Sequence, residues 1–435
     1  MRVLIIAWYF PPWNATASDR PASWAAWFAK QGCRVNVLTS KKNPAFHGDL
    51  SLPLEPHPNL RVVETPLRLT RTPIAKGASW AAGSVAVLRR LAREADAVIS
   101  TFMPWHIHVL GHLAKRANPR AVWCADYRDL WHDYDFFTAA RPWKRRLLRW
   151  FEKLVVRPAD LTTTVSHPLA QKLAKTHPHI TAEVIYNGFP ASLLNEEGPA
   201  ARIAARFRER APVEIMYAGT LYSGGYHDPE PLFQAIASGK WSRPIRVFFY
   251  GASARSPVVQ ALREKYRLGD AVRTPEEPLP RAACVARERE ADLLLHLGWT
   301  NPKMDGVLSA KVFEYMASRT PILSVGAGRE AAIGKLLEET GAGACLGRDV
   351  EAIRRALDQV VNRGELPEWY CPNREAILRF TRENQAQRLL EILRRRVKGG
   401  SPGKGGASPL KSHSEGGPEP VQSRGKTESS INAKD

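Results

Sequence analysis

Short apolar runs alternate with segments of helical spacing along most of the chain. Val3–Ala7 is a buried-strand pattern, closed by a turn at Pro11 and Pro12. From Pro21 to Lys30 the large residues Trp24, Trp27 and Phe28 share one helical face. That pattern stops at Gly32, and Arg34–Leu38 alternates as a strand does. Strand, helix and strand in so short a span make a βαβ unit and predict a parallel sheet. Ala97–Thr101, Ala121–Ala125, Leu161–Val165 and Glu183–Tyr186 read as further strands. Ala97–Ala114 lacks charges, but Pro104 and three histidines make it strand, turn and helix rather than a membrane span.

A polar stretch with Asn195, Gly198 and Pro199 interrupts this rhythm, which restarts at Val213. Strands are predicted at Glu214–Ala218, Arg246–Tyr250, Asp292–His296 and Pro321–Val325. Helices are predicted at Pro231–Ser238, Val258–Tyr266 and Ala310–Ser318, with a last long helix over Asn373–Val397. The fold class is α/β: two Rossmann-like domains with parallel sheets facing a cleft, where ligands of such sheets bind. The expected boundaries are 1–190 and 191–375, a C-terminal helix at 376–397 and a tail at 398–435. The tail is rich in Gly, Ser, Pro and Lys, cannot bury enough surface to offset its ordering entropy, and is expected to be disordered.

Composition sharpens this only slightly. The 435 residues are 44% hydrophobic and 24% charged, with 63 Lys and Arg against 43 Asp and Glu, a formal charge of +20. Such an excess suits a polyanionic neighbour: nucleic acid, an anionic membrane or a phosphorylated ligand. The basic residues are spread along the chain without a known nucleic-acid module, so no nucleic-acid partner is expected. The five cysteines are scattered and form no C-x-x-C pair, which fits a reducing cytoplasm rather than a disulfide framework or a zinc site.

Candidate chemistry concentrates in Gly306–Leu323. Val312, Phe313, Met316 and Ala317 fit one helix face, and Ser309, Ala310 and Lys311 lie at the helix start. Free N–H groups and a partial positive charge there suit a phosphate, and Lys311 adds a full charge. Glu314, one turn on, is placed to accept hydrogen bonds from ribose hydroxyls. A capped surface helix carrying a Lys and a Glu is the alternative.

This segment, G-x-x-x-x-K-x-x-E-Y-x-A-x-x-x-P-I-L, resembles the donor-binding motif of retaining glycosyltransferases of the GT-B fold, family 4 (glycosyltransferase group 1-like). Ala125–Trp131, Ala159–Ser166, Ile185–Gly188 and Tyr217–Leu221 resemble further motifs of that family, in order, over about residues 1–395. Three features depart from the pattern, one being that the common Arg and Lys pair is not evident in the loop after Gly219 and Thr220. The first of two glutamates common in the donor motif falls at Gly306, and the loop after the first strand is Trp13–Ser18 instead of a Gly-Gly pair.

The resemblance implies transfer of a sugar, with retention, from a nucleotide-sugar donor to a glycan or lipid-linked acceptor in surface polysaccharide or glycolipid biosynthesis. No metal and no cofactor beyond the nucleotide-sugar substrate is expected. The implied donor-binding residues are Arg20, Gly219, Thr220, Gly251, Arg255, Ser309, Lys311 and Glu314, with Lys311 and then Arg255 facing the diphosphate. Asp126, Arg128 and Asp129, past a strand end where sugar and acceptor would meet, are catalytic candidates with Lys311. A buried Asp–Arg–Asp network holding the loop is the alternative for those three. His106, His108 and His132 are weaker candidates. A nucleotide-sugar epimerase of the same fold and a non-catalytic glycan-binding or scaffold protein are the rival functions.

Arg141–Arg157 holds seven basic residues in seventeen, with Trp143, Leu147, Trp150, Phe151 and Leu154 at helical spacing. Its apolar side is expected to pack on the domain and its basic side to attract anionic lipid. A cytoplasmic protein, peripheral on the inner face of the membrane, is the expected localisation.

Overall fold

The computed structural model describes residues 1–67, 72–131, 142–195, 197–222, 224, 226–275, 277 and 279–399. The first sheet contains β1 (Arg2–Ala7), β2 (Arg34–Ser40), β3 (Leu60–Thr65), β4 (Ala97–Thr101), β5 (Val122–Tyr127), β6 (Leu161–Thr164) and β7 (Thr181–Val184). These strands are parallel, in the order β3-β2-β1-β4-β5-β6-β7. Helices α1 (Thr16–Lys30), α2 (Pro44–His47), α3 (Pro73–Glu94), α4 (His106–Ala117), α5 (Pro142–Val156) and α6 (His167–Thr176) connect them. The central strands of the first sheet are buried on both faces, which is why β1 reads as a continuous apolar run.

The second sheet contains β8 (Val213–Ala218), β9 (Ile245–Tyr250), β10 (Val272–Arg273), β11 (Leu293–Leu297), β12 (Ile322–Val325) and β13 (Gly343–Cys345). It is also parallel, in the order β10-β9-β8-β11-β12-β13. Its helices are α7 (Ala200–Arg208), α8 (Glu230–Ser238), α9 (Pro257–Lys265), α10 (Arg281–Glu290), α11 (Ala310–Ser318), α12 (Ala332–Thr340), α13 (Val350–Asp358) and α14 (Arg374–Leu378), and α15 (Arg382–Lys398) returns to the first domain. Both sheets reverse their winding once, between β1 and β4 and between β8 and β11. Such switch points open crevices beyond the carboxyl ends of the strands.

Three expectations need correction. Helix α1 begins at Thr16, so Arg20 lies inside it and not before it, with Pro21 in the interior. Burial of Ser18, Asp19, Arg20 and Pro21 outweighs the helix-breaking tendency of the proline. The last helix is two helices: Asn373 caps α14 and Thr381 caps α15. At the break the backbone turns to meet Phe189. Phe189 N donates to Phe380 O at 3.2 Å, and Arg382 N donates to Phe189 O at 2.7 Å. Helix α15 then packs on the first domain, where Ala386, Leu389, Leu390 and Leu393 join the core built on Phe28, Val35 and Ile99.

The third correction concerns α5. Phe151 and Val155 pack inward, Phe151 edge-on to Trp105 and Trp131. Trp143, Leu147, Trp150 and Leu154, expected to pack as well, are exposed. No described helix is long and apolar enough to cross a membrane. The expected disorder of the tail falls, from residue 400 onward, outside the described residues, as do His132 and Arg141.

Candidate functional site

The second sheet's switch point is framed by backbone turns. Gly219 and Thr220 follow β8. Gly251–Arg255 forms a short turn after β9, and Ser253 N donates to Gly219 O at 3.2 Å, tying the two loops together. Thr220, Gly251, Arg255 and Ser309 are exposed. Helix α11 is anchored over the end of β8, because the hydroxyl of buried Tyr315 accepts from Ala218 N at 2.9 Å. Ser309 precedes α11 but its side chain makes no capping hydrogen bond. Val312 N donates to Ser309 O at 3.3 Å, which leaves the N–H groups of Ala310 and Lys311 at the start of α11 to other acceptors.

Inside α11, Lys311 is bracketed by carboxylates. Its Nζ lies 2.9 Å from Glu288 Oε1 and 2.7 Å from Glu314 Oε2. Burial opposes the charge on Lys311, but the two carboxylates outweigh it and raise its pKa. Burial also works against ionised Glu314, yet Lys311 and Arg281 together hold its pKa below the usual carboxylate range. Glu288 is the most buried of the three, and burial keeps its pKa raised despite Lys311. Arg281 Nη2 donates to Glu314 Oε1 at 3.0 Å while its Nη1 reaches Asp19 Oδ2 on α1 at 3.2 Å. Arg382 Nη2 bonds the same Asp19 oxygen at 2.9 Å. Three cations and three carboxylates thus form one chain that links α11 to the first domain. Asp19, Arg281, Glu288 and Arg382 have no motif around them, and sequence reasoning passed over all four.

In the first domain, Arg20 and Asp126 form a buried pair. Arg20 Nη1 also donates to Ile185 O at 2.7 Å and Tyr186 O at 3.0 Å. Asp126 accepts further bonds from Thr101 Oγ1 at 2.7 Å and Thr163 Oγ1 at 2.8 Å. Both groups are fully engaged and turned away from solvent. The geometry of Asp126 is that of a brace, which holds Arg20 beneath the carbonyls that follow β7. Arg128 and Asp129 are only half-buried, beyond the end of β5. Burial raises the Tyr9 pKa, and the charge of Arg128 partly offsets that, which places Arg128 beside the loop after β1. On that loop Tyr9 and Trp13 stack with centroids 4.5 Å apart.

His106 and His108 are core residues. His106 stacks on Trp105 at 3.8 Å, and neither ring nitrogen has a protein partner. His108 Nδ1 shares a 2.9 Å hydrogen bond with Ser100 Oγ. Burial pushes both imidazoles down to about 4.

Gly306 explains one departure from the family pattern. It has φ +96°, and a Cβ there would fall 2.8 Å from Ser166 Oγ and 3.0 Å from Leu169 Cγ on α6. The loop before α11 is pressed against the first domain, where Lys172 Nζ donates to Lys303 O at 2.7 Å. A glutamate here would be strained by the positive φ and would push Ser166 aside.

Residues 17–188 match the model of a glycosyl transferase 4-like domain. No curated protein matches the sequence significantly. Among solved structures, sucrose-phosphate synthase from Thermosynechococcus elongatus is similar with a TM-score of 0.63 and 18% identity, covering 91% of this chain and 98% of that one. Anabaena HepE in complex with UDP-glucose has a TM-score of 0.61 and 16% identity, covering 91% and 99%. WaaG, a glycosyltransferase involved in lipopolysaccharide biosynthesis, has a TM-score of 0.56 and 14% identity, covering 90% and 99%. The shared architecture is the two-domain GT-B fold.

Proposed function

We propose that the protein is a retaining glycosyltransferase using a nucleotide-sugar donor, a reading supported by the match of residues 17–188 to a glycosyl transferase 4-like domain and by the GT-B fold. The observation that carries the proposal is the Lys311–Glu314 pair in the first turns of α11, at the switch point of the second sheet. Glu314 accepts the ribose hydroxyls. The diphosphate takes the open N–H groups of α11, with Lys311 and exposed Arg255 as its cations. As the ribose occupies Glu314, Lys311 turns from that carboxylate toward the phosphate. Charge that develops on the departing diphosphate is then met by Lys311, Arg255 and the N–H groups at the start of α11. Arg128 and Asp129 border the opposite side of the cleft, where a glycan or lipid-linked acceptor presents its hydroxyl. Glu314 and Lys311 fit any nucleoside diphosphate. HepE was solved with UDP-glucose, so uridine donors are the first to test.

The test is a thermal-shift screen of the full chain against nucleoside diphosphates and nucleotide sugars. A specific donor at a hundredfold excess over its Kd stabilises by about 2.7 kcal/mol. The expected result is a shift with one nucleoside diphosphate and its sugar, and sugar release to acceptor in the presence of a membrane extract. No shift with any nucleoside diphosphate overturns the proposal.

A further inference from the structure

Helix α5 has a second apolar stripe that is exposed among the described residues. Trp143, Leu147, Trp150 and Leu154 are 57%, 54%, 60% and 48% exposed. Their spacing keeps them on one helix face over about 16 Å of axis. Leu148 beside them is also exposed, and Tyr222 is the one other large hydrophobic residue exposed among the described residues. Exposed apolar area of this kind is therefore gathered on a single helix, where scattered single residues would need no explanation. The groove between α4 and α5, about 630 Å³, continues this surface through Leu154, Val109 and Phe151.

The charges around the stripe select the partner. Lys144, Arg145, Arg146, Arg149, Lys153 and Arg157 lie along the same helix and its end. Its one acid, Glu152, is fully buried beside His177 at 3.3 Å. A second copy of the chain, docked face to face, would bring the same cations against each other. A helix with apolar aromatic residues on one face and cations flanking it is the form that lies in the plane of an anionic bilayer.

We propose that α5 docks the protein on an anionic lipid surface, with Trp143, Leu147, Trp150 and Leu154 inserted among the acyl chains and the flanking cations on the headgroups. Helix α5 follows β5, so its first turn lies on the strand-end side of the first sheet, where Arg128 and Asp129 are found. The bilayer then lies on the side from which a membrane-embedded acceptor would enter. Docking itself does not depend on the glycosyltransferase reading.

The experiment is co-sedimentation of the full chain with vesicles of phosphatidylcholine alone or with phosphatidylglycerol. Binding to the anionic vesicles is expected to exceed binding to the neutral ones at least tenfold at 0.1 M salt. It should fall at 1 M salt, where the Debye length drops from about 10 Å to about 3 Å. Trp143→Ser with Trp150→Ser, and separately Arg146→Gln with Lys153→Gln, the cations at the edge of the stripe, should each weaken it at least tenfold. Both sets of variants should keep the wild-type thermal shift with nucleoside diphosphates, so that loss of docking is separable from loss of the donor site. Equal binding to neutral vesicles, no binding to either kind, or unchanged binding by the tryptophan variant overturns the proposal. So does a dimer in sedimentation velocity that the tryptophan variant dissociates, since the stripe would then belong to a second copy.

Discussion

Arg20 on α1 and Asp126 on β5 meet as a two-pronged ion pair, Nη2 to Oδ1 at 2.8 Å and Nε to Oδ2 at 3.2 Å, with side chains 3% and 0% exposed. The remaining Arg20 nitrogen reaches the carbonyls of Ile185 and Tyr186, so this one guanidinium joins α1, β5 and the exit from β7. Removing either partner leaves a buried charge without its counter-ion, which typically costs about 3–5 kcal/mol. Asp126→Ala and Arg20→Met should each fall in that range by urea unfolding at pH 7. The double variant should lose less than the sum of the two. Additive losses would show that the pair is not coupled.

Lys311 has a structural task besides any role toward a ligand, because Glu288 is buried with Lys311 as its cation. Lys311→Met should destabilise the fold by about 3–5 kcal/mol at neutral pH. Adding Glu288→Gln should restore a large part of it. The sign with pH follows from the raised pKa of Glu288. Without Lys311 that pKa rises further, the folded state takes up a proton more readily than the unfolded one, and the loss should shrink as pH falls. A loss independent of pH would point to packing alone.

Glu314→Gln should weaken nucleoside diphosphate binding by about 1.5–3 kcal/mol, or about 10- to 150-fold, through loss of a charge-assisted hydrogen bond. Titration calorimetry on a variant with unchanged circular dichroism is the measurement. Unaltered affinity would remove Glu314 from the donor site.

His108 should make the fold sensitive to acid. Its folded pKa is depressed to about 4 by burial, against an unfolded value of about 6.5. The unfolded chain therefore binds a proton first, and stability contributed by neutral His108 is lost as pH falls from about 6.5 toward 4. Between pH 7.5 and 5 this amounts to about 2 kcal/mol. His108→Gln, which keeps a partner for Ser100, should flatten the unfolding free energy over that interval by about this amount.

The parts legible in the sequence are those whose physics is local. Helix α11 begins and ends where its apolar spacing predicts, at Ala310 and Ser318. Strand β4 coincides with its apolar run, Ala97–Thr101. Edge strand β3 was missed because its residues are only half-buried and show neither a continuous run nor a clean alternation. The Asp19–Arg281 and Asp19–Arg382 pairs span 262 and 363 residues, and no short pattern announces them. On α5 the sequence identifies the apolar residues but not which stripe turns inward. That choice is made by Trp105 and Trp131, which offer a surface to Phe151 and none to Trp150.

The crossing at Phe189 has a mechanical consequence. Two bodies joined by one length of backbone can both bend and twist about it. Here the outgoing chain at 188–190 and the returning chain at 380–382 run side by side and are stitched by two backbone hydrogen bonds. Gly188, at φ +69°, lets them approach closely, since a Cβ there would stand 2.6 Å from Phe380 O. A doubled strand resists torsion as a door hung on two pins resists skewing. Twisting of one domain against the other about this crossing is therefore opposed by two lengths of backbone instead of one.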